Sequence, residues 1–389
     1  MNAIVSFFLS LFCIFSGITG AFVRTGSPKA VSDDFVPVLR FMAASDIHIH
    51  DLGDKKCMRL IKGIRSAYKI AESDPDYTAL DAVCLTGDVT DNGRKDQYLA
   101  LASILRNEIK GKTQPMIVQA KSHDCNTLGR EALDYLSGIT GQPNDYHYTV
   151  NGFHFIGTSA SHDPDVHYDD KQLSRLDELL SAATAEDPDK PVFVFQHEHI
   201  KDTVFGSYDE DGWGVNYFND ILNKYPQVID ISGHSHYPAN DPKAVWQGAF
   251  TAINDGGMAY YEFTFEGQRS YHPDDSRKMA QMLLVEVDAN NRVLVRVYDV
   301  TAEKFIYEYL IDNVTEADKT KFSHETRRSA ASAPEFAESA EITIKNIFGQ
   351  YVFSVPQAKA ADNDIVFDYR LSITNTAGEE IASTAAPSK

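Results

Sequence analysis

The stretch VLRFMAASDIHIH, residues 38–50, holds the two features that decide the fold. Its first eight residues are mostly apolar and of strand length, and Asp46 and His48 follow them almost directly. An apolar run of this length predicts a strand buried inside a sheet. In open α/β sheets, ligands bind at the carboxyl ends of the strands. The stretch therefore predicts a buried strand that ends at a functional site.

The same arrangement recurs further along the chain. Other apolar runs predict strands at 81–86, 115–120, 153–159, 191–196 and 227–232. Amphipathic stretches between them predict helices at 56–72, 94–109, 129–138, 170–184 and 215–224. Strands that alternate with helices are typical of an α/β domain, here residues 36–311. Because the end of this domain is rich in strands, we expect two sheets facing each other with helices outside.

Composition predicts three further parts. Residues 3–20 are almost wholly apolar and precede a small-residue cleavage site, which predicts a signal peptide at 1–21. Since no Lys or Arg precedes the apolar run, an uncleaved N-terminal membrane anchor is the alternative. Charged and small residues predict a linker at 312–338, and strand-like segments predict part of a β-sandwich module at 339–389. We therefore expect a secreted or otherwise extracytoplasmic protein.

The charge of the chain excludes some partners. The formal net charge is −20 at pH 7. Such a protein repels nucleic acid, and it repels anionic membranes, so we expect no nucleic-acid partner and no membrane contact beyond an N-terminal anchor. An anionic substrate then needs a local positive charge, and a bound metal ion is its simplest source.

The four cysteines predict no disulfide framework. Export would remove Cys13 and leave Cys57, Cys84 and Cys125. Cys84 lies in an apolar run and is expected to be a buried strand residue. Pairing of Cys57 with Cys125 depends on whether the fold brings them together.

Residues of types that commonly bind metals, His and Asp, follow five of the predicted strands. The segments are Ser45-Asp46-Ile47-His48, Thr86-Gly87-Asp88, Lys121-Ser122-His123-Asp124, Gln196-His197 and Gly233-His234-Ser235-His236. Imidazole and carboxylate together suit borderline divalent metals such as Zn, Mn and Fe. Their convergence at strand ends predicts a metal centre.

The ordered set resembles the calcineurin-like metallophosphoesterase superfamily, whose pattern is D-x-H, G-D, G-N-H-D/E, a single H and G-H-x-H. The resemblance covers residues 38–240. It implies a two-sheet αββα sandwich that hydrolyses a phosphomonoester or phosphodiester of a small phosphorylated substrate, using two divalent metal ions (Mn, Zn or Fe). Residues 87–93, with Tyr98, look most like the branch of cyclic-nucleotide and glycerophosphodiester phosphodiesterases.

The resemblance also implies a role for each site residue. The first metal would be held by Asp46, His48 and His236, and the second by His197, His234 and the residue at the Ser122 position, with Asp88 bridging the two. A metal-bridging hydroxide would attack phosphorus. His123 would assist the leaving oxygen, with Asp124 orienting its ring.

At Ser122 the sequence departs from the pattern, which has Asn there and Gly where this chain has Lys121. A Ser hydroxyl is shorter than an Asn side chain and is a poorer neutral oxygen donor, so we expect a weaker second site. Three outcomes follow: an enzyme with a labile second ion, a one-metal enzyme of low activity, or a degenerate, non-catalytic exported binding protein on the same fold.

Two assignments have alternatives. Glu198 and His199 flank His197, and either is an alternative ligand; we favour His197 because it follows the strand directly. Aromatic residues in the insertion after residue 208 would form either a wall against the organic group of the substrate or part of the core: Trp213, Tyr217 and Phe218.

Overall fold

The computed structural model describes residues 34–160, 166–265, 268–273, 275–315, 321–330, 332–348, 350–360, 366 and 368–387. The predicted signal peptide or anchor, residues 1–21, lies outside these ranges. No helix within them is both long enough and apolar enough to cross a membrane. The described chain divides into two compact units, one up to Ser329 and one from Ala330 onward. This division lies inside the range predicted as a linker, 312–338.

Within the described ranges there are six α-helices. They are α1 (Lys55–Ser73), α2 (Lys95–Glu108), α3 (Glu131–Thr140), α4 (Asp170–Glu186), α5 (Asn219–Leu222) and α6 (His324–Ala330). An N-terminal capping residue fixes the start of α1. The carboxylate of Asp54 accepts a hydrogen bond from the backbone N–H of Cys57 at 2.7 Å. The first four agree with the predicted helices. The helix predicted at 215–224 is only one turn long, and the first residue of the predicted range belongs to a strand.

Sixteen strands belong to the first unit in the same ranges. The first nine are β1 (Pro37–Ala44), β2 (Ala82–Thr86), β3 (Gln114–Val118), β4 (Tyr146–Val150), β5 (Phe153–Gly157), β6 (Val192–Phe195), β7 (His199–Ile200), β8 (Gly214–Val215) and β9 (Val228–Ser232). The others are β10 (Val245–Gln247), β11 (Thr251–Asn254), β12 (Phe263–Phe265), β13 (Gln268–Tyr271), β14 (Gln281–Asp288), β15 (Val293–Asp299) and β16 (Lys304–Ile311).

Twelve of these strands form two six-stranded mixed sheets. The order in the first sheet is β16-β15-β14-β1-β2-β3, and in the second β10-β11-β9-β6-β5-β4. Strands β1, β2 and β3 are parallel, as are β5, β6, β9 and β11, while the remaining pairs are antiparallel. The parallel strands carry the motifs, so their carboxyl ends define the site edge of each sheet.

The two sheets pack face to face through aromatic side chains. Phe41 of β1 contacts Phe155 of β5 and Phe193 of β6 edge-on, with ring centroids 5.1 and 4.8 Å apart. Separate apolar clusters pack α1, α2 and α3 on the outer face of the first sheet and α4 on that of the second. The predicted arrangement of two facing sheets with helices outside is confirmed.

The second unit has four strands in its described residues. They are β17 (Thr343–Ile347), β18 (Gln350–Ser354), β19 (Asp368–Thr374) and β20 (Glu380–Pro387). They form two separate antiparallel hairpins, β17-β18 and β19-β20. A β-sandwich for this region stays a prediction.

The cysteines of the described chain are unpaired. Cys57 and Cys84 are buried and Cys125 is partly buried, and none forms a disulfide. Burial raises the pKa of the Cys125 thiol to about 12, so this thiol is protonated at pH 7.

Candidate metal centre

Parallel strands bring the predicted site residues together. Asp46 and His48 follow β1, Asp88 follows β2, Ser122 and His123 follow β3, His197 follows β6, and His234 and His236 follow β9. The loops of the two sheets are bonded to each other: the backbone N–H of His234 donates to Asp46 Oδ2 at 2.9 Å. The polar residues of both sheets therefore meet at one edge of the sandwich.

The first group of potential ligands consists of Asp46, His48 and His236. The Nε2 atoms of the two imidazoles lie 3.2 Å apart. Asp46 Oδ1 lies 3.3 Å from His236 Nε2 and 3.8 Å from His48 Nε2. One carboxylate oxygen and two imidazole nitrogens thus face a common point.

The carboxylate of Asp46 fits a metal ligand. Its Oδ2 accepts hydrogen bonds from the Ser45 hydroxyl and the His234 backbone, whereas Oδ1 is buried and has no hydrogen-bond donor in the described structure. A buried carboxylate oxygen without a partner is costly. A cation between Oδ1 and the two imidazoles is the partner that this arrangement suits.

The second group consists of Asp88, His197 and His234. Asp88 Oδ2 lies 3.4 Å from His197 Nε2, and His197 Nε2 lies 3.2 Å from His234 Nδ1. The same Oδ2 lies 4.0 Å from Nε2 of His48, which belongs to the first group. Asp88 therefore lies between the two groups, where a carboxylate shared by two dications would be placed.

Backbone carbonyls select the ring tautomers. Nδ1 of His197 lies 2.9 Å from the carbonyl oxygen of Thr86, and Nδ1 of His236 lies 3.3 Å from that of Tyr260. Because a carbonyl only accepts, each Nδ1 carries the proton. Nε2 of each ring is then the atom that would bind a metal, as in other metal sites with oriented histidines.

The loops that hold the ligands adopt unusual backbone conformations. Positive φ angles occur at five predicted ligands: Asp46 (51°), His48 (51°), Asp88 (47°), His234 (72°) and His236 (56°). Non-glycine residues rarely adopt this region, and such strain concentrates at functional sites. Close packing adds a glycine requirement, since a Cβ at Gly87 (φ 101°) would lie 2.4 Å from Nδ1 of His197.

Burial and neighbouring charges set the protonation of the ligands. Burial, together with the neighbouring His236, lowers the pKa of His48 well below its ordinary value. Burial also lowers the pKa of His234 and of His236, so all three rings are neutral at pH 7, as metal ligands must be. Burial opposes ionisation of Asp88, but the neighbouring His197 outweighs it and lowers the pKa of that carboxyl. Burial also opposes charge on His197, but Asp88 outweighs it and raises the pKa of that ring well above its ordinary value, so the two form a buried ion pair.

Ser122 and His123 lie beside the two groups. The Ser122 hydroxyl donates to Asp88 Oδ1 at 2.8 Å, so it holds the shared carboxylate. The ring of His123 lies edge-on to that of His48, with centroids 4.4 Å apart. Nδ1 of His123 donates to the carbonyl oxygen of Asp91 at 2.8 Å, which leaves Nε2 for a substrate.

The orienting role predicted for Asp124 is wrong. Its carboxylate is fully buried and accepts from the backbone N–H groups of Thr90 and Ala120, at 2.8 and 3.0 Å, and from the Thr90 hydroxyl at 2.8 Å. The ring of His123 is held by Asp91 instead. Asp124 points away from its neighbour in sequence and fastens the loop after β2 to the loop after β3.

The two alternatives to His197 lie outside the ligand groups. His199 bonds the hydroxyls of Ser232 and Ser235, at 2.9 and 2.7 Å, and so supports the loop that carries His234 and His236. Glu198 bonds His167 and Tyr168 at 3.1 and 2.9 Å.

Sequence reasoning missed Asp255. This fully buried carboxyl group follows β11 and is hydrogen bonded to the hydroxyls of Ser45 and Thr86, at 2.6 and 2.5 Å, so it ties the ends of three strands together. Burial raises its pKa to about 8. The signal was available in the sequence, because Asp255 directly follows the apolar strand β11.

Sequence reasoning also missed the role of residues 257–262, which support the first ligand group. The backbone N–H groups of Met258 and Ala259 donate to the carbonyl oxygens of Ser45 and Asp46, at 3.2 and 3.0 Å. The segment continues across His236, whose ring stacks on that of Tyr260 with centroids 4.0 Å apart and an interplanar angle of 10°. No local sequence pattern marks this contact, which depends on where the segment crosses the sheet edge.

Known proteins resemble this chain in sequence. A family model described as calcineurin-like phosphoesterase matches residues 39–238, just over half of the chain. A probable cyclic nucleotide phosphodiesterase of Rhodococcus erythropolis (strain PR4 / NBRC 100887) is 26% identical over 157 residues, which are 40% of this chain and 52% of that protein. The chain thus spans about half the length of this relative.

A solved phosphatase structure has a similar fold. Purple acid phosphatase PPD1 from yellow lupin (Lupinus luteus) seeds matches with a TM-score of 0.50 and 12% identity, over 77% of this chain and 57% of that chain. GAP50 of Plasmodium matches with a TM-score of 0.46 and 16% identity, over 71% of this chain and 89% of that chain. By its matched residues, the chain belongs to the calcineurin-like metallophosphoesterase superfamily.

Proposed function

We propose that this protein hydrolyses a phosphomonoester or phosphodiester of a small molecule with two divalent metal ions. The observation that carries the proposal is the buried, donor-free Oδ1 of Asp46, which faces Nε2 of both His48 and His236. A second group of one carboxylate and two imidazoles lies beside it. Such paired groups suit two dications that share one substrate.

The residues divide into two ligand sets. Asp46, His48 and His236 would hold one ion, His197 and His234 the other, and Asp88 both. When bound, the two dications would neutralise charge on the phosphate and acidify a water molecule. The donor types suit Mn, Zn or Fe. Ser122 would act mainly through its hydrogen bond to Asp88, so the second ion is expected to bind more weakly.

His123 is suited to handle the proton of the leaving oxygen. Its ring is only partly buried and lies against His48, at the border of the first ligand group. The bond to Asp91 fixes the proton on Nδ1 and orients Nε2, the atom that would exchange a proton with the leaving group.

A small phosphorylated substrate and export of the protein are both part of the proposal. The matched relative is named as a probable cyclic nucleotide phosphodiesterase, which supports a diester as substrate. The net charge of −20 disfavours polymeric nucleic acid. The apolar residues 3–20 support export, and detection of the processed chain outside the cytoplasm would test it.

The decisive experiment measures turnover of nitrophenyl phosphate and bis-nitrophenyl phosphate by the purified protein with added Mn²⁺ or Zn²⁺. We expect turnover that a chelator abolishes and that Asp88→Asn reduces strongly. Absence of chelator-sensitive turnover of both esters would overturn the proposal. Less than one metal ion per chain by elemental analysis would favour a non-catalytic exported binding protein on this fold.

A further inference from the structure

We propose that Trp213, Tyr217 and His167 form a binding site for a planar aromatic group of the substrate, such as a nucleobase. These three residues are called the aromatic rim below. The inference rests on the proposed function and adds the chemical class of the organic group. The subsite is distinct from the ligand groups, because none of its residues belongs to them.

One end of the aromatic rim contacts the second ligand group directly. The ring of Trp213 packs edge-on against that of His234, with centroids 5.0 Å apart and an interplanar angle of 88°. The residues after Trp213 form β8, which pairs in parallel with β7, two residues beyond His197. This pairing holds the segment that leads to Tyr217 alongside the second ligand group.

The other end is fixed between two neighbours of that group. Nε2 of His167 lies 3.1 Å from Oε1 of Glu198, the residue after His197. The carbonyl oxygen of Val166 accepts from Nζ of Lys121 at 2.8 Å, and Lys121 precedes Ser122. His167 is therefore placed between the loop of Ser122 and the loop of His197.

Buried residues support the aromatic rim on one side, and Tyr217 is exposed to solvent. Glu198, which anchors His167, is 4% exposed and also accepts from the hydroxyl of buried Tyr168. Tyr168 in turn packs on Phe218, which is fully buried and thus belongs to the core. The rings of His167 and Tyr217 stack with centroids 5.2 Å apart and an interplanar angle of 19°. Tyr217 is 41% exposed.

This arrangement favours a planar ring over an aliphatic group. An exposed aromatic face held by a rigid support loses little conformational freedom when a second ring stacks on it. Stacking of one base on one aromatic side chain changes affinity by roughly 5- to 150-fold. Sugars and glycerol have no flat face, so they gain much less from such a surface.

Tyr217 offers a clean test because it is exposed. KM and kcat are measured for a nucleoside cyclic monophosphate and for a glycerophosphodiester, with saturating metal. We expect Tyr217→Ala to raise KM for the nucleotide about 5-fold or more, with kcat within about twofold of the original value and KM for the glycerol ester unchanged. Tyr217→Phe should retain the original KM for both. Tyr351→Ala, at a tyrosine that is 49% exposed in the second unit, is the matched control and should change neither.

A second readout needs neither metal nor turnover. Saturation-transfer NMR of the metal-free protein with adenosine should show contacts at the base protons, and Tyr217→Ala should remove them. Equal KM changes for both esters, or no change for either, would overturn the subsite while leaving esterase activity intact. Absence of turnover of every ester would instead contradict the proposed function, and loss of the adenosine signal in Tyr217→Ala would then still support the subsite.

Discussion

The rings of Tyr260 and His236 lie parallel, 4.0 Å apart, and the carbonyl oxygen of Tyr260 also accepts from Nδ1 of that histidine. Two contacts from one residue thus fix both the plane and the tautomer of a predicted ligand. Tyr260 lies beyond residues 39–238, which the family model matches. A segment outside the family motifs therefore completes the support of the first ligand group.

Tyr260→Ala is expected to weaken metal binding at the first ligand group about 10-fold, the lower end of the range for supporting contacts of metal ligands. Removal of the ring frees His236 to rotate, although the backbone carbonyl remains. Tyr260→Phe keeps the stacked ring and should retain affinity. Calorimetric titration with Mn²⁺ and Zn²⁺ measures both variants, and equal affinities of the two variants would contradict a positioning role for the ring.

His123→Ala is expected to lower kcat by roughly 10²- to 10⁴-fold, because proton transfer to the leaving oxygen is lost. The metal content should stay the same, since His123 belongs to neither predicted ligand set. His50→Ala is a suitable control, as its side chain is half exposed in the loop after β1 and pairs with Asp51. An unchanged kcat in His123→Ala would remove this residue from the mechanism.

Ser122→Asn is expected to tighten binding of the second ion and to lower the Mn²⁺ concentration needed for turnover, because an amide oxygen is a better neutral donor than a hydroxyl. Ser122→Ala, which removes the hydrogen bond to Asp88, should act in the opposite direction. Both effects are read from titrations of the metal-free protein. If Ser122→Asn titrates like the original chain, this position does not face the second ion.

Asp230→Asn is expected to have a higher free energy of unfolding than the original chain, by an amount that grows as the pH rises from about 5 to 8. Burial raises the pKa of Asp230 to about 8, so the folded state keeps a proton that the unfolded state has already lost above about pH 4. The free energy of unfolding of the original chain therefore falls by up to about 1.4 kcal/mol per pH unit in this window, and the variant lacks this loss. Urea unfolding at pH 5, 6.5 and 8 measures the difference. Exposed Asp189→Asn serves as the control, and a stability difference that does not grow with pH would contradict the prediction.

Much of the site was predictable because its residues follow strands directly. An apolar strand in a parallel sheet specifies both its own burial and the edge at which the next polar residue lies, so Asp46, Asp88 and His197 could be placed from local sequence. The edge strand β4 was missed because it is only partly buried and its apolar pattern is weak.

Errors arose where neighbours in sequence were assumed to touch. Asp124 follows His123, yet its carboxylate faces Thr90 and Ala120, because the turn at 123–125 directs successive side chains to different sides. Trp213, Tyr217 and Phe218 also separate in the fold: Trp213 contacts His234 and Tyr217 is 41% exposed, whereas Phe218 is fully buried in the core.

The sequence by itself determined the two-sheet architecture and most of the predicted ligands, since hydrophobic periodicity and strand ends are local properties. Only the tertiary structure decided which groups support those ligands: Tyr260 on His236, Asp255 between Ser45 and Thr86, and Ser122 on Asp88. The physical reason is that hydrogen bonds and ring contacts depend on distances of a few ångströms between distant segments. Packing of one sheet on the other sets those distances, and no local pattern encodes them.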